Sequence, residues 1–236
     1  MKIFILNCWL LPPPFSKANQ DRLKQIIYLI KQHKPDIIAL QEVWLNKYVS
    51  KIKNSLTDYN FVTSNSHFYN KSGLVTGLKS KDFSFQYSFF PVTKKHNLRE
   101  KFAKKGYHLI ELDNNLFFVN THLYAPQNQN EKKIADSQFK LIQKLMRDKK
   151  GFVVGDLNID ENRITKLNKI FEYDKSYGHT VAGSNPLTKI RFNKYSEDKK
   201  IDYILQTKTK MAIKSKCIDK PIVSDHFCLL TKVTKK

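Results

Sequence analysis

The sequence predicts an α/β (α+β) fold with helices packed outside β-sheets. Three observations carry this: a strand–helix–strand succession at the start, strand-length apolar runs recurring to the end, and a long amphipathic segment over 131–148. Residues 2–9 are almost unbrokenly apolar and suit a buried strand. Leu23, Ile26, Ile27 and Ile30 then recur at i, i+3, i+4, i+7, which marks an amphipathic helix ending near His33. Pro35 stops it, and Asp36 to Glu42 reads as a second interior strand, completing a βαβ unit. Phe83, Phe85, Tyr87 and Phe89 alternate with Ser84, Gln86 and Ser88, which predicts a strand whose aromatic face turns to the core. Leu116 to Leu123 is a further strand, and 131–148 places Ile134, Leu141, Ile142 and Leu145 on one helical face. Phe152–Asp156, Ile201–Leu205 and Phe227–Val233 complete the strands. No repeat, low-complexity tract or Gly/Ser linker divides the chain, so one domain is expected over 1–236.

Composition narrows the function. At 236 residues, with 41% hydrophobic and 12% aromatic residues, the chain can bury a core and is not a disordered basic tail. No run approaches the roughly 18 apolar residues of a membrane span. Asn7, the prolines 12–14 and the lack of a small-residue cleavage site argue against a signal peptide. The expected mature start is therefore Met1, and the expected location is the cytoplasm, or outside the cell by a route without a classical signal peptide. Cys8, Cys217 and Cys228 form neither a disulfide framework nor a zinc-spaced pair. The net charge of +21 attracts polyanions, but only five of the 42 basic residues are Arg. Lys is a point charge that does not read bases bidentately, so the charge favours an anionic substrate without naming one. A lysine-biased solvated surface explains it equally.

Polar residues recur at the ends of apolar strands: Asn7, Glu42, His122, Asp156 with Asn158 and Asp160, Asp202, and Asp225–His226. Strand ends are where α/β sheets gather functional groups. Singly, such an Asp or Asn is a turn former or helix cap, and such a His a half-buried core residue; recurrence at six strand ends in one chain points to a site. Glu42 and Asp225 offer hard carboxylate oxygens and Asn7 and Asn158 neutral carbonyls, a set that prefers Mg²⁺, with Mn²⁺ as substitute, over zinc. With two histidines and a basic field, this suits metal-assisted hydrolysis of a phosphate ester. A Walker-type loop is absent.

The ordered motifs NCW (7–9), QEVW (41–44), THLYA (121–125), GDLN (155–158), IDYIL (201–205) and SDHF (224–227) resemble the endonuclease/exonuclease/phosphatase superfamily along nearly the whole chain. The resemblance implies a four-layer sandwich, two packed mixed β-sheets flanked by helices. It implies that Glu42 ligates the metal with Asn7 in support, and that Asp225 belongs to or borders the ligand set. Asp156 would position or deprotonate the attacking water, and Asn158 would orient it or hold the phosphate. His226 would contact the phosphate or act as base, oriented by Asp202, while His122 would stabilise developing charge or protonate the leaving group.

Within the superfamily, the NCW and EVW flanks are similar to neutral sphingomyelinases. The segment from Glu100 to Lys105 resembles their Asp-Trp-Phe-Ser-Gly-Lys stretch, with Glu100 for the aspartate and Lys101 for the tryptophan. That implies substrate-binding roles for Lys105 and, from HTVAGSNPLT, for Asn185. A phosphoinositide-phosphatase Trp-Cys-Asp-Arg pattern is absent, since Lys199-Lys200-Ile201 precedes Asp202. The leading expectation is a phospholipid phosphodiesterase that makes peripheral membrane contact. The alternatives are a nuclease of low sequence specificity on DNA or RNA and, ranked lower, a phosphoinositide phosphatase or an inactive polyanion binder. Leu10 to Phe15, directly after Asn7, has two readings: a loop folding its Leu and Phe onto the core, the first expectation, or a stiff apolar edge on the site's rim.

Overall fold

The computed structural model describes residues 1–66, 68–94, 96–192 and 197–235. The strands are β1 (Lys2–Leu10), β2 (Ile37–Val43), β3 (Asn60–Asn65), β4 (Asn70–Leu78), β5 (Phe83–Phe89), β6 (Gly106–Leu112), β7 (Leu116–His122), β8 (Lys150–Asp156), β9 (Glu172–Tyr173), β10 (Asp202–Thr207), β11 (Met211–Ile218) and β12 (Cys228–Lys235). The helices are α1 (Asn19–His33), α2 (Asn46–Ser55), α3 (Leu98–Ala103), α4 (Gln129–Met146), α5 (Glu161–Leu167) and α6 (Pro186–Phe192). The strands form two six-stranded mixed sheets, ordered β11-β12-β1-β2-β4-β3 and β5-β6-β7-β8-β10-β9.

Each sheet has one parallel pair, β1–β2 and β7–β8, and each pair is joined by a helical crossover, α1 or α4. The helices follow their sequence signals. α1 buries Leu23, Ile26, Ile27 and Ile30 and ends at Lys34 in the left-handed region before Pro35. α4 opens with a reciprocal cap, in which the Asn128 side chain accepts from the Glu131 backbone N–H and the Glu131 carboxylate accepts from the Gln127 backbone N–H. Asp160 likewise caps α5 by accepting from the Arg163 backbone N–H at 2.9 Å, which explains that carboxylate without catalysis.

Three apolar clusters make the layers. One joins α1 and α2 to the outer face of the first sheet, one joins α4 and α5 to the outer face of the second, and a third fills the space between the sheets around Ile5, Ile110, Phe118 and Ile204. The result is the four-layer α/β sandwich that the motifs imply.

Two local expectations are corrected. β5 is a strand, but its aromatic face is not core: Phe85 and Tyr87 are 52% and 47% exposed. Phe85 pairs with Ile110 and so points to the side between the sheets, yet β5 is the outermost strand of its sheet. An outermost strand has a neighbour on one side alone, and here the face it shares with Ile110 is left open at Phe85 and Tyr87. Nor does the loop after β1 fold fully back onto the core. Leu10 is buried, but Pro13, Pro14 and Phe15 are exposed, because Ser16 and Asn19 both bond the Leu11 carbonyl and hold the loop as an outward turn.

Candidate active site

The parallel pairs bring their C-terminal ends to one edge of the sandwich. Asn7 and Glu42 lie at the ends of β1 and β2, and His122 stands in register with Asp156 at the ends of β7 and β8. The antiparallel pairing of β8 with β10 sets Asp202 opposite Asp156, and His226 arrives two residues before β12. The backbone is bent to suit. Trp9, Glu42 and Asn158 have φ of 46°, 55° and 51°, and the β1–β2 register shifts between Asn7 and Leu10. Gly155, at φ 131°, lets β8 approach β7 where a Cβ would collide with the Thr121 carbonyl, just before Asp156 and His122.

The side chains converge. Asn7 Nδ2 donates to Asp156 Oδ2 at 2.9 Å, and the Asn158 backbone N–H donates to Asp156 Oδ1 at 3.0 Å. Asn158 Nδ2 donates to the Leu123 carbonyl at 3.0 Å, so this amide braces the GDLN turn against the chain after His122. His226 Nδ1 is 2.8 Å from Asp202 Oδ2, which leaves Nε2 turned towards Asp156 at 3.8 Å. His122 Nε2 lies 3.4 Å from the same Asp156 oxygen.

Burial would drain the charge from His226, but Asp202, Asp225 and Asp156 overcome it and push its pKa up to about 10. Burial, reinforced by Lys105, holds His122 well below the usual histidine value, so it is neutral. The Asp156 carboxyl is raised, first by burial and then by the neighbouring Asp202.

Beside this cluster, Glu42 and Asp225 are joined by an arginine that the sequence reading did not single out. Arg191 donates through Nη2 to Glu42 Oε1 at 2.8 Å and through Nη1 to Asp225 Oδ2 at 2.7 Å. Burial alone would raise the Glu42 carboxyl, but Arg191, with Lys105, holds it well below the carboxylate range. The one available signal was that α6 carries one of only five arginines in a lysine-rich chain.

Lys105 is buried, pairs with Glu100 at 3.1 Å and donates to the Leu123 carbonyl at 3.0 Å, next to His122. Asn185 is buried with its amide committed: Nδ2 donates to the Ser224 carbonyl and Oδ1 accepts from the Leu187 N–H. It therefore braces the SDH turn and the start of α6. A cleft of about 800 Å³ between α4 and Pro91, Thr93 and His96 contains none of these groups.

Two sets of side chains can hold a cation. Asp156, Asp202 and His226 present ligand atoms within 4.8 Å of one another, the one such His/Cys/Asp/Glu group among the described residues. Glu42 and Asp225 present two buried carboxylates, and Glu42 Oε2 accepts no hydrogen bond from the described residues. An orphaned buried carboxylate oxygen demands positive charge, so a divalent cation fits this edge of the fold.

The fold has solved counterparts, each similar at low identity. Sphingomyelinase C from Streptomyces griseocarneus superposes with a TM-score of 0.82 at 14% identity, covering 100% of this chain and 99% of that one. Beta toxin from Staphylococcus aureus gives 0.76 at 18%, covering 100% of both chains. TDP2 from D. rerio, in complex with a single-strand DNA product, gives 0.78 at 14%, covering 100% and 99%. No curated protein matches the chain. Residues 6–226, the span from the first site strand to the terminal histidine of the cluster, match the Endonuclease/Exonuclease/phosphatase family, and the chain belongs to it.

Proposed function

We propose that the chain is a Mg²⁺-dependent phosphodiesterase that hydrolyses a phospholipid and releases a phosphorylated headgroup, as a sphingomyelinase does. The observation that favours lipid is the large apolar side chains left exposed on segments leaving the site: Phe15 after β1, Phe68 after β3, and Leu98 and Phe102 on α3. Their exposures are 71%, 76%, 71% and 78%. The Phe68 carbonyl accepts from Asn46, four residues past Glu42, and α3 leads into Lys105. Exposed apolar groups around a polar site suit contact with a bilayer surface rather than with free solutes. No helix of the described residues is long and apolar enough to cross a membrane.

Glu42 and Asp225, with Asn7, would hold Mg²⁺, which supplies Lewis-acid polarisation of the phosphoryl oxygen. Asp156, its carboxyl raised and its oxygens fixed by Asn7 and Asn158, takes a proton from the attacking water. His226, kept protonated by Asp202, donates from Nε2 to a non-bridging phosphate oxygen. Neutral His122 offers a ring N–H to the departing oxygen, and Lys105 adds positive potential beneath it. Asn185 and Asn158 hold the turns that carry these groups.

A nuclease of low sequence specificity is the second reading, favoured by the +21 charge and by the likeness to TDP2. Both are tested on one preparation, with Mg²⁺ and with EDTA, on sphingomyelin vesicles and on supercoiled plasmid, with His226→Ala prepared in parallel. Headgroup release that needs Mg²⁺ and His226 is the expected result. Plasmid nicking with the same dependences, and no lipid turnover, replaces the lipid reading with the nuclease.

A further inference from the structure

Arg191 occupies the place where a divalent cation would link two carboxylates. Its forked N–H groups reach one oxygen each of Glu42, at the end of β2, and Asp225, ahead of β12, and its guanidinium lies 5.8 Å from the centre of the Trp9 ring. The two carboxylates come from distant parts of the chain and share no other cationic partner at salt-bridge distance among the described residues, apart from the outlying His226 Nε2, 4.0 Å from Asp225. Two buried negative charges side by side are costly without a counter-ion, and the guanidinium supplies one.

The helix that carries Arg191 is weakly held. Of the α6 side chains from Pro186 to Arg191, Thr188 alone is buried, and Ile190 is 47% exposed. Among its tethers to the site are Asn185 Nδ2 on the Ser224 carbonyl at 2.9 Å, Thr188 Oγ1 on the Asp225 carbonyl at 3.2 Å, and Arg191 itself. A short helix in which Thr188 is the one buried side chain over 186–191 has little apolar contact across those residues to keep it in place once the ion pairs are gone. A second, doubly charged cation on Glu42 would face the guanidinium across a water-poor site, where like charges repel with little screening.

We propose that Arg191 is a guanidinium latch on the Glu42–Asp225 pair, that it and a divalent cation hold these carboxylates in mutual exclusion, and that metal loading therefore releases the C-terminal end of α6. The proposal rests on the reading of Glu42 and Asp225 as metal ligands. The latch keeps the metal-free fold neutralised at this edge and sets the cation affinity by competition, since the metal gains only its surplus over the guanidinium.

The test measures metal binding directly, by calorimetry with Mg²⁺ and by electron paramagnetic resonance of free Mn²⁺, on the wild-type chain, Arg191→Met, Arg191→Lys and Glu42→Gln. Removing the competitor is expected to tighten binding at least tenfold in Arg191→Met, with Arg191→Lys between it and wild type, and Glu42→Gln is expected to abolish it. Equal or weaker binding in Arg191→Met overturns the latch while leaving the metal site standing. No binding to wild type or Arg191→Met at millimolar Mg²⁺ and Mn²⁺ overturns both. Should Arg191→Met fail to fold, hydrogen exchange on the wild-type chain decides: the amides of 187–192 should exchange faster when Mg²⁺ is added, and unchanged protection overturns the proposal.

Discussion

His226 and Asp202, 24 residues apart, meet at 2.8 Å between Nδ1 and Oδ2: the pairing of β8 with β10 places Asp202, and a bridge from Val181 to His226 places the imidazole's backbone. The contact fixes the ring and stabilises its charged form, so the proposed phosphate donor depends on a residue that need not touch substrate. Asp202→Asn should keep the fold but lower turnover about a hundredfold or more, as expected when an imidazole loses its orienting carboxylate. The sign for pH follows: a pKa of about 10 is raised mainly by Asp202 against burial, so the asparagine lowers it. The alkaline limb of the rate profile should move to lower pH in the variant, and an unshifted limb would remove His226 from the proton-donating role.

Arg22 ties the two halves of the site together from below. Its guanidinium donates to the carbonyls of Cys8 at 2.7 Å and Trp9 at 2.6 Å, just past Asn7, and to that of Val223 at 3.0 Å, just before the SDH turn. Each hydrogen bond from a charged donor contributes about 1.5–3 kcal/mol, and the orphaned carbonyls cannot be reached by water. Arg22→Met should cost about 2–4 kcal/mol in urea unfolding. Arg22→Lys should recover little, because an ammonium cannot span the three carbonyls. The variant should also lower kcat more than it raises KM; a variant that loses stability with unchanged kcat would confine Arg22 to the fold.

The parallel strands and their crossover helices were legible because each of those strands carries an apolar run and each crossover helix shows a helical stripe, whereas β3, β4, β6, β9 and β11 carried no reading. Asn7, Glu42, His122 and Asp156 were legible as a group for the same reason, since they end those runs. Arg191 was not. It joins Glu42 only through α6, a seven-residue helix whose position depends on contacts with the SDH turn rather than on any periodicity of its own. The aromatic face of β5 was misread because alternation reports which residues share a face but not whether another layer covers it. Phe85 and Tyr87 share a face with the inter-sheet residues Ile110 and His108, but they stand on the outermost strand of their sheet and are left half exposed.

The exposed apolar side chains supply a separate handle on the lipid reading. Phe15, Phe68 and Phe102 each stand mostly in solvent, so their replacement by Ser should change stability by no more than about 0.5 kcal/mol apiece. In a bilayer interface each ring would bury apolar area, at roughly 25 cal/mol per Å². The triple variant should therefore lose at least about tenfold in hydrolysis of sphingomyelin vesicles, since losing even 1.4 kcal/mol of interfacial binding is tenfold. Its rate on a soluble short-chain phosphodiester should stay within about twofold of wild type. Equal losses on both substrates would place these rings in the fold or the catalytic step and not at a membrane.

His108 lies between the sheets, at the far end of a polar chain that begins beside Glu42. Gln41 Nε2 donates to Asn120 Oδ1 at 2.8 Å, Asn120 Nδ2 donates to Thr76 Oγ1 at 3.0 Å, and Thr76 Oγ1 is 3.0 Å from His108 Nδ1. The Thr76 hydroxyl accepts from Asn120 and can give its own proton to a neutral His108 Nδ1, a bond that a ring proton at Nδ1 would replace. Burial holds the His108 pKa down to about 3, against an ordinary value near 6.5. The unfolded chain therefore binds a proton at this residue below about pH 6.5 that the folded chain refuses, and stability is lost as pH falls from 6.5 towards 3, by up to about 1.4 kcal/mol per unit. His108→Gln can keep a bond to Thr76 but cannot titrate. Urea unfolding at pH 7.5, 6 and 5 should show the wild-type chain losing stability more steeply than the variant, so that the gap between them narrows as the solution is acidified. Parallel curves across that range would mean that His108 takes up its proton as readily in the fold as in the unfolded chain, and that burial does not hold its charge off.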